Sequence, residues 1–186
     1  MLVLRAVRLR REQAAVYRAE SLRPADMTGL AVEVLGPGDR MQPDQREFLG
    51  RHSSTLALWY LLRWRRRGCG WVLFGRIERR LCHYTFVTPA RRYRRMIPLL
   101  KEPRALLIGP CLTEEEFRGR AIYPRVLGAA VGMLRERGWG PFYIHTNPLN
   151  AASVRGIEKA GFTRCGVWDI RRVFFNLWVS SRRIGD

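Results

Sequence analysis

Residues 117–162 read FRGRAIYPRVLGAAVGMLRERGWGPFYIHTNPLNAASVRGIEKAGF, and the order of signals in this stretch decides the fold. Arg118 to Tyr123 forms a short polar turn that runs into Pro124. Proline suits the first turn of a helix, where its missing N–H had no partner in any case. The free N–H groups of such a turn, with the positive end of the helix dipole behind them, make an anion site. Val126, Ala130 and Met133, with Leu127, Val131 and Leu134 beside them, recur at helical spacing and predict an amphipathic helix. Arg135 and Arg137 suit its last turn and Gly138 its stop. Pro141 to Thr146 then reads as a strand, and Asn150 as the N-cap of a short helix that ends before Gly161.

Two motifs in this order carry more than either does alone. An Arg-x-x-Ala-x-Tyr turn opens the first helix, and about thirty residues later comes Asn-x-x-Ser-x(5)-Lys-x-Gly-Phe, formed by Asn150, Ser153, Lys159, Gly161 and Phe162. Over about residues 104–166 the chain resembles the acyl-CoA binding half of the GNAT superfamily of N-acyltransferases. That superfamily holds pyrophosphate with Arg/Gln-x-x-Gly-x-Gly/Ala; here Arg118 matches, Ala121 replaces the first glycine and Tyr123 the second.

The resemblance implies an α/β (α+β) architecture: a mixed, largely antiparallel central sheet, helices on both faces, and a splayed strand pair holding acyl-CoA. It implies that acetyl-CoA or another acyl-CoA is the co-substrate. The arm would lie along Cys111, Leu112 and Thr113, with pyrophosphate on Arg118, Gly119, Arg120, Ala121, Ile122 and Tyr123. Asn150, Ser153 and Lys159 would line the channel. Many members protonate the departing thiolate with a Tyr seven residues after the motif Asn, a position held here by Ile157.

The 186 residues suit one domain, 1–186, with 1–29 an extension outside the resemblance. REQAAVYRAESLR, within it, has the composition of an amphipathic helix. Arginine interrupts every apolar run before it could span a bilayer, and the basic start has no sustained apolar region, so no leader is expected. Cys69, Cys82, Cys111 and Cys165 form no CxxC pair, and none of His52, His83 and His145 is spaced with them as zinc requires. Free thiols, no metal and a cytoplasmic location are expected. The formal net charge is +18, and from Arg63 to Arg95 eleven arginines face one acid, Glu78. Such a field attracts polyanions, anionic lipid and phosphorylated small molecules.

Strands are predicted at Leu30–Leu35, Leu56–Arg65, within WVLFGRIERR and LCHYTFVTP, and at Arg104–Thr113, with a helix around Pro43–Arg51. The terminal RRVFFNLWVSSRR reads as a strand that closes the sheet or pairs across a dimer, the alternative being contact with a membrane surface. The protein is expected to be a monomer or homodimer.

Transfer to an amine needs a base near neutrality. His83 is the first candidate, in a predicted central strand with Thr85 on its face, followed by His145, Glu78 and Glu114. The acceptor is expected to be a small-molecule amine. The resemblance to members associated with bacterial surface-polysaccharide and sugar biosynthesis implies an amino sugar that carries phosphate, recognised by Arg91, Arg92, Arg94 and Arg95. Two alternatives stay open: a catalytically silent acyl-CoA binder, and a module for nucleic acid or anionic surfaces that uses Arg interleaved with Trp59, Trp64, Trp71 and Tyr93.

Overall fold

A computed structural model describes residues 10–52, 70–173 and 178–185; the strand expected at Leu56–Arg65 lies outside them. The elements are β1 (Arg10–Ala19), β2 (Ala31–Leu35), α1 (Pro43–His52), β3 (Trp71–Ile77), β4 (Arg80–Pro89), β5 (Leu106–Thr113), α2 (Ile122–Glu136), β6 (Phe142–Thr146), α3 (Ala151–Ala160), β7 (Thr163–Val173) and β8 (Trp178–Gly185). The eight strands form one sheet in the order β2-β3-β4-β5-β6-β1-β7-β8. Every pair is antiparallel except β5–β6, as the expected largely antiparallel sheet requires.

Helices cover both faces. Val126, Leu127, Ala130, Val131 and Leu134 of α2 and Ile157 of α3 pack with Tyr17, Leu73, Ile108 and Ile144. On the opposite face Phe48 and Leu49 of α1 cover Val72, Phe74, Tyr84 and Phe86. Met96, Ile97 and Leu100, from the segment after β4, cover Val16, Leu107, Tyr143 and Trp168. Asn150 caps α3 by accepting from the Ser153 N–H at 3.1 Å, and Gly161 ends the helix at φ 100°. α2 begins at Ile122, so Pro124 stands third in its first turn.

Two expectations need correction. REQAAVYRAESLR contains most of a strand: β1 lies between β6 and β7. Ala14 and Val16 are buried on one face and Ala15 and Tyr17 on the other. A strand covered on both faces loses the alternation that marks a strand in sequence and shows a short apolar run, which alanines make look helical. The hairpin turn between β3 and β4 falls at Glu78–Arg79, between Ile77 and Arg80. Both residues have positive φ, 47° and 69°, the pattern of a type I′ turn that ordinarily selects Asn-Gly. The second correction is the terminal RRVFFNLWVSSRR, expected as one strand: residues 171–173 end β7, whereas residues 178–183 belong to β8, which pairs antiparallel with β7 at the sheet edge.

Replacing Glu78 and Arg79 together with Asn-Gly should remove the cost of two non-glycine residues at positive φ. The melting midpoint should rise by about 2–6 °C. The far-ultraviolet circular dichroism spectrum should be unchanged, because Glu78 is an exposed turn residue. Thermal denaturation and spectra of the double variant check both.

Candidate active site

β5 and β6 run parallel for three pairs only, Leu106–Phe142, Leu107–Tyr143 and Ile108–Ile144. Beyond them β5 carries an extra residue against β4: Ile108 pairs with Val87 and Cys111 with Thr85. The bulge falls on Gly109, at φ 125°, and Pro110, which has no N–H to give a ladder. Cys111, Leu112 and Thr113 then pair with β4 alone. On the far side His145 and Thr146 of β6 pair with Val16 and Ala15 of β1. The two strands therefore part after Ile108, leaving a gap in the ladder.

The turn before α2 stands just past the open end of this gap. Gly119 has φ 81°, and Ala121, the N-cap, lies in the left-handed region with no side-chain cap. With Pro124 lacking an N–H, the N–H groups of the first turn are left for an external acceptor. The Arg118 Nε donates to the Thr113 carbonyl at 3.3 Å, folding the turn onto the end of β5. Beside the turn is a groove of about 810 Å³ whose lining includes Arg23, Arg120, Ala121, Arg125 and Lys159, against the single acid Asp26. Lys159 is thus brought to the loop from the far end of α3. Asn150 and Ser153 stand at the start of α3, where they make its cap.

Beneath α2 lies a polar cluster. His83 is fully buried; its Nδ1 is 2.7 Å from the Thr113 hydroxyl and its Nε2 is 2.7 Å from that of Thr85. Burial pushes its pKa down to about 3. A neutral ring with both nitrogens occupied is a poor proton acceptor, and the base role expected of His83 does not fit its surroundings. Cys111 is no better as a nucleophile, since burial pushes its thiol up to about 12. Tyr123, substituted for a small residue of the motif, turns inward. Its ring lies 6.0 Å from that of His83. The ring also rests on Gly156 of α3, where a Cβ would come within 2.5 Å of it.

The remaining candidates fall in three places. Glu114 follows β5 and accepts from or pairs with His52 Nε2 at 3.0 Å; sequence reasoning passed over His52 because nothing local links it to position 114. His145 is half-buried on β6 opposite Val16. The arginine run splits. Arg76 bonds Glu33 and Asp44, each at 2.6 Å, and Arg80 bonds Glu116 at 2.6 Å, all near the hairpin turn. Arg91, Arg92, Arg94 and Arg95 are exposed beyond Pro89, at the other end of β4, roughly 30 Å away along the strand. Residues 63–69 lie outside the described part. The described arginines of this segment therefore form two separate patches. Among the described residues no cluster of metal-ligating side chains occurs, and no helix is long and apolar enough to cross a membrane.

No family model matches the sequence, and no curated protein matches it. Solved structures do. An acetyltransferase of the GNAT family from Colwellia psychrerythraea aligns over 90% of this chain at 14% identity with a TM-score of 0.62, and the chain spans 57% of that protein. A glucosamine N-acetyltransferase region of a fungal multi-domain β-N-acetylglucosaminidase aligns over 91% of this chain at 14% identity and TM-score 0.62, across 21% of that protein. An aminoglycoside acetyltransferase from an uncultured soil metagenomic sample, solved with sisomicin, aligns over 73% of this chain and 90% of its own, at 10% identity and TM-score 0.52. The fold is that of the GNAT acyltransferases.

His83 should leave a mark on stability against pH. Its unfolded pKa is near 6.5 and its folded value near 3, so between those limits the unfolded chain binds the extra proton. Stability should fall as pH drops through that window, by up to about 1.4 kcal/mol per pH unit. In His83→Gln this part of the slope should vanish. Urea midpoints at pH 7, 6, 5 and 4 for both proteins check it; parallel curves would mean that His83 titrates as it does in the unfolded chain.

Proposed function

We propose that the protein is an acyl-CoA-dependent N-acyltransferase that moves an acyl group to a primary amine by direct attack. One observation carries this: the β5–β6 ladder ends after Ile108, and the freed end of β5 is tied by Arg118 to an uncapped helix start. An extended arm ending in a pyrophosphate fits that combination, with strand-edge groups for the arm and N–H groups with a helix dipole for the anion. The cationic groove with Arg23, Arg120 and Lys159 continues from the turn and suits the remaining phosphate of coenzyme A.

In this reading the amine nitrogen attacks the thioester carbon, the C–N bond forms, and the C–S bond breaks with its electron pair on sulfur. The chain's part is to hold the arm straight, to bind phosphates at residues 118–123 and to accept a proton from the ammonium. His52, held by Glu114 at the end of β5 on the face away from α2, replaces His83 as the residue for that last task. An amino sugar is the acceptor class favoured here, because two of the similar proteins are described as acting on glucosamine and on an aminoglycoside. A cytoplasmic location accords with free thiols at Cys82, Cys111 and Cys165.

Ala121→Glu should weaken acetyl-CoA binding by roughly 100-fold or more, because a carboxylate would stand where the phosphate belongs. Ala121→Asn tolerates the left-handed backbone without adding charge and should bind nearly as well as wild type. Calorimetry with acetyl-CoA, longer acyl-CoAs and free coenzyme A reads both. Equal affinity in a folded Ala121→Glu protein overturns the placement.

A further inference from the structure

The end of the sheet where β4 finishes and β5 begins carries an array of cations that the acyltransferase reading leaves unused. Arg91, Arg92, Arg94 and Arg95 follow β4, Lys101 and Arg104 precede β5, and all are exposed. Backbone hydrogen bonds hold these segments side by side. The Ala90 N–H donates to the Ala105 carbonyl at 2.9 Å, and the Met96 and Ile97 N–H groups both donate to the Tyr93 carbonyl at 2.8 Å. The Gly140 N–H donates to the Arg104 carbonyl at 3.0 Å, which brings exposed Arg137 to the same end. Met96, Ile97 and Leu100 are buried beneath, so the segment is pinned and its charges face outward. Among the described residues no carboxylate pairs with Arg91, Arg94, Arg95 or Lys101. Glu102, the acid within the segment, is engaged by the Tyr143 hydroxyl at 2.8 Å. Between Arg95 and Lys101 stands Leu99, 40% exposed and one of three large apolar side chains open to solvent among the described residues.

We propose that this end of the molecule docks on an anionic phospholipid surface, through Arg91, Arg92, Arg94, Arg95 and Lys101, with Leu99 entering the headgroup layer. The proposal stands independently of the acyltransferase reading. Each cation held within a Debye length of an anionic leaflet strengthens attachment by roughly 5-fold, and an apolar side chain among the cations adds burial. Single-stranded nucleic acid needs aromatic faces on which bases stack, and this end offers none. Tyr93 packs against the core under the turn, Trp71 is buried edge-on to Trp139 at 5.2 Å, and the Arg104 guanidinium lies over Trp139 at 5.4 Å. A duplex presents phosphates but no apolar layer for Leu99. A lipid surface answers both the charge and the exposed leucine.

Co-sedimentation of the full chain with vesicles tests this. Wild type should bind vesicles of equal parts phosphatidylglycerol and phosphatidylcholine but not phosphatidylcholine alone, and should bind less as salt is raised. Arg91→Gln, Arg92→Gln, Arg94→Gln and Arg95→Gln together should weaken binding roughly 100-fold or more, with the melting midpoint close to wild type. Arg46→Gln, Arg51→Gln, Arg79→Gln and Arg155→Gln together remove the same charge from exposed positions on α1, the β3–β4 turn and α3. That control should lose only a few-fold, because screening confines the attraction to charges near the lipid. Leu99→Ser should weaken binding roughly 3- to 10-fold, and it decides the matter if the Arg91–Arg95 variant fails to fold. Equal losses in the two arginine variants would assign attachment to net charge and overturn the proposal, as would unchanged binding in Leu99→Ser. Release from the vesicles by inorganic phosphate, where chloride of equal ionic strength leaves the protein bound, would assign the array to a free phosphate and overturn it. Wild type that ignores the vesicles, yet binds RNA or duplex DNA through these arginines, overturns it in favour of nucleic acid.

Discussion

The loss of pairing between β5 and β6 after Ile108 is the constraint on which the rest of the site depends. Two strands that have begun a parallel ladder gain a backbone hydrogen bond with each further residue, so separating them needs a cause. Gly109 and Pro110 supply it: an extra residue on β5, one backbone at positive φ, and one position with no N–H. The separated halves persist because each has another neighbour. β4 holds Cys111 to Thr113, and β1 holds His145 and Thr146. Residues 10–19, far from the motifs in sequence, are thus half of what keeps the gap open.

Around that gap, bulk has been moved and not simply added. A tyrosine in the first turn of α2 would crowd a side chain on the crossing helix, and the crossing helix has glycine at that point. The space gained is filled by an aromatic ring that ties α2 and α3 to β4 and β5. Under it, a histidine is buried neutral at an electrostatic cost that its two threonine partners limit by satisfying both ring nitrogens. The arrangement is rigid for the same reason that it is a poor base.

The charge of +18 also resolves into different kinds of arginine. Arg76 is committed to Glu33 and Asp44 and stitches α1 to the β2–β3 edge. Arg125 is spent on the carbonyls of Asp26 and Thr28, which anchors the chain after β1 against α2. Arg23, Arg120 and Lys159 line an open groove beside the turn before α2, where their field is available to a ligand. Exposed pairs such as Arg80–Glu116 add little to stability.

The sequence by itself determined what is local. The helical period of 122–136, the Asn150 cap with its Gly161 stop, and the order of strands around them were legible because each depends on contacts within a few residues. So were the glycine-bearing turn before residue 122 and the likeness to the GNAT fold. Tertiary structure decided what depends on neighbours across the sheet. β1 was illegible as a strand because burial on both faces erases alternation, and the Glu78–Arg79 turn because its residues are not those the geometry favours. His83 looked like a base until its burial was known, since proton affinity is set by surroundings and not by residue type. His52 joined Glu114 only when α1 folded onto the sheet, and the arginine run divided only when β4 carried its two ends apart. Spacing along a chain fixes a helix or a turn, whereas distance and desolvation between remote residues exist only once the sheet has formed.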